Sequence, residues 1–342
     1  ELPTSTTQPV MQVPQTYRAY QYDNYGPVEK ELQLRLAVKR QPIGPKQVRI
    51  KVASAAINPI DYVILEVEGQ QFTGKTPTTE KPSGIGFDGA GTVVEVGSEA
   101  KRLKVGDQVY TMTAFTQCGT VADYVTLDEE QVALKPSNLT FDQAASIPLV
   151  ALTSYQALVE HAKLQKGETV LILGGSSAVG MVGIQLARSI GARVITTTSA
   201  KNADFVKGLG AQQTVDYHTE KWVDALENHS VDVIYDCGME ADAWNHDAQL
   251  TLKKDTGRFV SLLALAEPVQ PAKFGAKNLN FMICDPNAKD LDEITKFVEK
   301  GELVPVIDTV YEFEKLLPAL AKLRGRHARG KLVIQVNPET PE

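Results

Sequence analysis

With 342 residues, 43% of them hydrophobic, and a formal net charge of −7, the chain is long enough for two domains with sizeable cores. It is too acidic for a nucleic-acid surface, which is usually basic. Its three cysteines, Cys118, Cys237 and Cys284, are widely spaced and form neither a disulfide framework nor a CxxC zinc pair, so each reads as a small buried apolar residue in a reducing compartment, expected to be the cytoplasm.

In chain order, Glu1 to Thr16 is rich in Thr, Pro and Gln and is expected to be a disordered leader. It shows no secretory signal, and its lack of arginine disfavours a transit peptide. Tyr17 to Tyr22 alternates and begins a first domain. Gln47 to Ala55 alternates apolar and polar residues like a half-buried strand, which Asn58-Pro59 stops and after which Asp61 can cap a helix. Gly84 to Gly97 is glycine-punctuated and β-rich, and Val105 to Tyr110 is a turn into a strand. Short strands at this spacing predict a compact, barrel-like antiparallel domain to about Leu139, after which Phe141 to Ala162 turns helical.

The stretch Glu168 to Arg188 has three parts. Val170 to Leu173 is an apolar run suited to a strand buried on both faces. Gly174 to Gly180 is a turn of small residues. Val179, Val182, Leu186 and Ile190 then form a helical stripe that stops at Gly191. Strand, small-residue turn and helix make up the first unit of a dinucleotide fold, in which the helix N-terminus offers free N–H groups and partial positive charge to a pyrophosphate. Such turns also occur in α/β domains that bind no nucleotide. Thr169 to Ala187 carries no charge, but Gly-Gly-Ser-Ser at its centre excludes a membrane span.

Arg193 to Thr198 is a β-branched strand. An NAD site places an acid about twenty residues past the glycines. Here the strand runs into Ser199-Ala200-Lys201-Asn202, with no acid before Asp204. Ser199 and Lys201 suit a 2′-phosphate, which a carboxylate would repel, so NADPH is expected over NADH. The other reading of Lys201 is a solvated surface lysine. Further strands at Gln213 to Tyr217, Val231 to Gly238 and Gly257 to Leu263 alternate with helices, which predicts a parallel sheet. Leu291 to Lys300 reads as a last amphipathic helix. Val304 to Tyr311 and Lys331 to Val336 alternate again, so the C-terminus is expected to return to the first domain.

The ordered set Asn58-Pro59-Ile60-Asp61, Gly86-Phe87-Asp88-Gly89-Ala90-Gly91, Lys104 to Val109, Ile147-Pro148-Leu149, Gly174 to Gly180, Leu209-Gly210-Ala211 with Asp216-Tyr217, and Arg329-Gly330-Lys331 resembles the medium-chain dehydrogenase/reductase superfamily, in its zinc-independent quinone oxidoreductase branch. The resemblance runs from about Tyr17 to Val336. It implies an α/β chain: a GroES-like, β-rich catalytic domain at 17–145, completed by 288–342, and a Rossmann, doubly wound parallel-sheet domain for NADPH at 146–287. It also implies hydride transfer to quinones or to the activated double bonds of enones and enals. Zinc-dependent relatives place a cysteine in the loop that here holds Asn58, and a histidine where this chain has Phe87, so no metal is expected.

By that resemblance Asn58 stands beside the nicotinamide and substrate; its other reading is a turn residue at the Asn-Pro bend. Tyr62 lines the substrate pocket or donates a proton, or is a packed aromatic. Thr153 touches the nicotinamide or its ribose. Gly175, Ser176, Ser177, Ala178, Val179 and Gly180 face the pyrophosphate. Ser199, Lys201 and Tyr217 lie toward the adenosine phosphate. Gly238, Leu262 and Leu263 occupy the carboxyl edge of the sheet, and Lys331 approaches the cofactor from the catalytic domain, or is a surface lysine. A homodimer is expected, with a strand such as Leu262 to Leu265 pairing across a two-fold axis. The expected partner is a small quinone or enone, without nucleic acid or membrane span. Two competing readings are an enoyl-thioester reductase and a non-catalytic NADPH-binding regulator or RNA-binding protein, the latter disfavoured by the acidic charge.

Overall fold

The computed structural model describes residues 13–67, 69–326 and 328–338. In chain order its first eight strands are β1 (Thr16–Tyr22), β2 (Gln33–Lys39), β3 (Gln47–Ile57), β4 (Ser83–Gly84), β5 (Asp88–Val96), β6 (Gln108–Met112), β7 (Tyr124–Asp128) and β8 (Val132–Leu134). The other eight are β9 (Thr169–Leu173), β10 (Arg193–Thr198), β11 (Gln213–Asp216), β12 (Val233–Asp236), β13 (Arg258–Ser261), β14 (Lys277–Phe281), β15 (Ile307–Glu312) and β16 (Lys331–Gln335).

A small antiparallel sheet runs β2-β1-β4. A seven-stranded sheet runs β15-β16-β3-β5-β6-β8, with β7 also on β3. The C-terminal strand β16 pairs antiparallel with the end of β3, Leu332 opposite Ile57. The last described strand is therefore an inner strand of the seven-stranded sheet. The third sheet runs β11-β10-β9-β12-β13-β14 and its pairs are all parallel. Val170 to Leu173 of β9 are fully buried, as expected of a strand covered on both faces.

The helices that bear on function are α1 (Pro59–Glu66), α2 (Phe141–Ala145), α3 (Pro148–Tyr155), α4 (Ala178–Ile190), α5 (Ala203–Leu209), α6 (Ala288–Glu299) and α7 (Leu316–Arg324). Helix α3 is buried on nearly every side because it lies between the two large sheets. One core unites Ala90, Tyr110 and Met112 of the seven-stranded sheet with Leu152 of α3, Ile147 just before it, and Ile172 and Tyr235 of the parallel sheet. The Tyr110 hydroxyl donates to the Leu291 carbonyl of α6 at 2.8 Å, with Thr295 Oγ1 also at 2.8 Å. Among the described residues no helix is long and apolar enough to cross a membrane.

Several expectations are corrected in detail. The helical stretch 141–162 is interrupted at Ser146-Ile147, before Pro148, which starts a new helix that runs on as a π-helical turn from Gln156 to His161. The strand expected from Val304 begins at Ile307, since Pro305 cannot donate to the ladder. The expected edge strand at Leu262 to Leu265 is irregular chain, and the edge is β14 instead. Of the expected leader, residues 1–12 lie outside the described residues, whereas Val13 is buried and its carbonyl accepts from Arg40 Nη1 at 3.1 Å.

Candidate active site

Gly174 closes β9 at φ +89°, a left-handed conformation that favours glycine. A Cβ on Gly175 would stand 2.0 Å from Thr196 Oγ1, and one on Gly180 would stand 2.2 Å from the Gly174 carbonyl oxygen. These two glycines let the turn fold onto its own strand, so their small size serves close packing within the protein. The Ser177 hydroxyl caps α4: it accepts from Gly180 N at 3.1 Å and donates to Gly174 O at 2.7 Å. Gly180 N–H is therefore committed within the turn. Ala178 and Val179 begin the helix, where N–H groups have no intrahelical acceptor. The thirteen residues of α4 aim their dipole at the same point. The turn thus fits a dinucleotide pyrophosphate.

The adenosine end also fits. Thr198, at the end of β10, pairs with Asp216, so Ser199 and Tyr217 emerge side by side at the carboxyl edge. Ser199 is buried, Lys201 is exposed and Tyr217 is 57% exposed with its ring 4.3 Å from that of His218. Thr198 Oγ1 is buried with no hydrogen-bond partner, an acceptor or donor still to be used. On the other side of β9, the Asp236 carboxylate accepts from Met239 N at 2.7 Å and from Ser261 Oγ at 3.0 Å, and Ser261 Oγ accepts from Leu263 N at 3.0 Å. One carboxylate thereby sets two loops of the carboxyl edge, those of Gly238 and of Leu262-Leu263. Burial raises its pKa. Sequence reasoning missed Asp236, although an acid closing the apolar run Val233-Ile234-Tyr235 was its signal.

Asn58 is 2% exposed and begins α1. Its Nδ2 donates to Asp88 Oδ2 at 2.9 Å, and its Oδ1 accepts from Lys331 Nζ. Lys331 Nζ also pairs with Asp88 Oδ2 at 2.9 Å, and both side chains are essentially buried, at 5% and 0% exposure. Asp88 Oδ1 accepts from Leu149 N, at the start of α3, at 2.7 Å. Asp61 holds the loop from below, accepting from Asn58 N at 2.7 Å and Gly86 N at 2.9 Å. Burial, before any other cause, pushes its carboxyl up to about 7. Lys331 is thus no surface lysine. It also lines a narrow cavity with Ile147, Ala178, Met181 and Val182, which brings the cluster beside the first turn of α4.

Two further expected residues have partners within the protein. The Thr153 hydroxyl donates to Leu149 O at 2.7 Å, so its proton is used within α3. Tyr62 packs on the core of the seven-stranded sheet, with the Arg324 guanidinium 5.3 Å from its ring. Phe87 is 2% exposed, with the Phe115 ring 5.2 Å away and Phe72 beyond at 6.1 Å from Phe115. Among the described residues no group of three or more His, Cys, Asp or Glu side chains could hold a metal ion. The described side chains do not fit a zinc ion, which takes about three protein ligands.

Residues 44–137 match the family described as an alcohol dehydrogenase GroES-like domain, and residues 209–334 match the zinc-binding dehydrogenase family. Over 98% of its length the chain is 33% identical to a 2-methylene-furan-3-one reductase of Solanum lycopersicum, covering 82% of that protein. It is 32% identical to a chloroplastic NADPH-dependent alkenal/one oxidoreductase of Arabidopsis thaliana, over 94% of this chain and 80% of that protein. The solved quinone oxidoreductase of Coxiella burnetii superposes with a TM-score of 0.81 at 30% identity, over 94% of this chain and 99% of that one.

Proposed function

The chain belongs to the medium-chain dehydrogenase/reductase superfamily, and from that membership we infer that it is a zinc-independent, NADPH-dependent reductase of quinones or of the activated double bonds of enones and enals. The observation that carries this reading is the Asn58, Asp88 and Lys331 cluster set against the start of the glycine-turn helix, with Phe87 where zinc-dependent relatives place a histidine. Bound NADPH supplies the hydride. Ala178 and Val179 offer their N–H groups, with Ser176 and Ser177 beside them, to the pyrophosphate. Lys201 and Ser199 hold the 2′-phosphate, with Tyr217 alongside. Gly238, Leu262 and Leu263 form the wall at the carboxyl edge. Asn58 donates a hydrogen bond to the substrate oxygen on which negative charge develops. Phe87, Phe115 and Phe72 keep the acceptor side apolar, and water delivers the proton.

The names of relatives support this reading: a methylene-furanone and an alkenal or enone are both electron-poor double-bond systems. The cysteines, all free, support a reducing compartment, cytosolic or organellar. We also infer a homodimer, joined along the exposed edge of β14.

The test is NADPH oxidation, followed by absorbance, against a benzoquinone, a naphthoquinone and an α,β-unsaturated ketone. NADPH turnover with at least one acceptor is expected. Lys201→Ala should raise the KM for NADPH about tenfold, the loss of one charge-assisted hydrogen bond, and leave that for NADH unchanged. NADPH binding without turnover on any acceptor would overturn the reductase reading.

A further inference from the structure

We propose that Asp88 and Lys331 are positioning residues: together they lock the Asn58 carboxamide in one of its two orientations. The oxygen and nitrogen of a carboxamide are nearly alike in size, so its neighbours decide which way it points. Here the neighbours are opposite charges. The Lys331 ammonium has only donors and takes Oδ1, while the Asp88 carboxylate has only acceptors and takes Nδ2. A half-turn of the carboxamide would face its NH2 group to the ammonium and its oxygen to the carboxylate, two repulsive contacts among side chains exposed by 5% or less.

Neither partner can turn with it. The second oxygen of Asp88 is held by Leu149 N–H at 2.7 Å. Lys331 opens β16, whose next residue pairs with Ile57, the residue before Asn58. The Asn58 backbone N–H is fixed by Asp61. One carboxamide hydrogen goes to Asp88, and the other is left with a direction determined by three separate segments of the chain. That hydrogen is the fixed donor that the acceptor's oxygen would meet. This last step rests on the reductase reading, whereas the locked orientation does not.

The experiment has two arms. In asparagine-labelled protein, with the Asn58 carboxamide signal identified by its absence in Asn58→Ala, the wild type is expected to show proton shifts displaced from those of a free asparagine side chain and slow exchange with water. Asp88→Asn and Lys331→Met should each move the shifts toward those of a free asparagine side chain and speed exchange about tenfold or more, the loss of one charge-assisted bond. Lys331→Arg should restore the displaced shifts and slow exchange that Lys331→Met removes. Where a single variant fails to fold, the charge-neutral pair Asp88→Asn with Lys331→Met takes its place in both arms. In the second arm, Asp88→Asn is expected to lower kcat about tenfold or more by the same reasoning while the KM for NADPH stays within about twofold. It should add no further loss to Asn58→Ala, because the two act as a unit.

An unchanged carboxamide signal in folded Asp88→Asn or the folded double variant would overturn the proposal. So would losses that multiply in the Asn58→Ala background. If the wild type turns over no acceptor, the reductase reading falls, and the carboxamide signal alone decides whether Asp88 and Lys331 position Asn58.

Discussion

Asp61 gives the site a pH dependence of definite sign. Its carboxyl, buried at 3% exposure, is raised from 3.8 to about 7. Between these values the folded protein holds a proton that the unfolded chain has released, so the contribution of this group to stability is complete below about pH 4 and is lost as pH rises through about 7. A rise of about three units corresponds to roughly 4 kcal/mol. Urea unfolding at pH 4.5 and 7.5 is expected to show wild type losing a few kcal/mol relative to Asp61→Asn, whose side chain does not titrate; parallel curves for the two proteins would contradict it. Lys331 and Asp88, which face Asp61, act on it in opposite directions and both less than burial does. At Gly180 the issue is space. Because a Cβ there would press on the Gly174 carbonyl at 2.2 Å, Gly180→Ala should cost about 1–3 kcal/mol in urea unfolding and weaken NADPH binding in the same titration series. Ala at Gly208, where a Cβ meets nothing within 4 Å, is the control.

Helix α4 depends on its cap. Ser177→Ala removes both hydroxyl bonds of the turn and is expected to cost about 1 kcal/mol of stability. It should also lower NADPH affinity, because the helix start would fray; unchanged affinity by fluorescence titration would show that the cap serves folding alone. This unit was legible in the sequence because its signals agree: an apolar run of strand length, glycine punctuation, then a 3.6-residue stripe. The edge strand β14 was not legible. Lys277-Asn278-Leu279-Asn280-Phe281 carries two asparagines, which are poor strand formers, and Asn280 has φ +63°. Its strand character comes from the ladder that β13 offers. The resemblance pointed to Asn58 and Lys331 singly. Their joint arrangement with Asp88 was hidden, since Asp88 and Lys331 are 243 positions apart and no local pattern relates such a pair. Both readings of Tyr62 stayed open in the sequence because an aromatic on the first turns of a helix reads the same whether it faces a cleft or a core.

The shared core around α3 has a thermodynamic consequence for the molecule as a whole. Since one apolar cluster joins both large sheets and Tyr110 ties the first to α6, the halves should unfold together. Scanning calorimetry is expected to give one transition, displaced upward by NADPH in proportion to about 2.7 kcal/mol at a hundred times its dissociation constant. Two resolved transitions, with NADPH moving only one, would show that the halves are independent. The inner position of β16 bears on biosynthesis as well. Its partner β3 leaves the ribosome about 270 residues earlier, which at about 5–20 residues per second is a wait of roughly 15–55 s. During that interval the end of β3 from Ser54 to Ile57 is an unpaired edge, open to other chains, and Asn58 has neither lysine nor locked carboxamide. A nascent chain released before Lys331 is therefore both prone to aggregate and without an assembled site, so premature termination near the 3′ end of the message should yield insoluble protein rather than a partly active one.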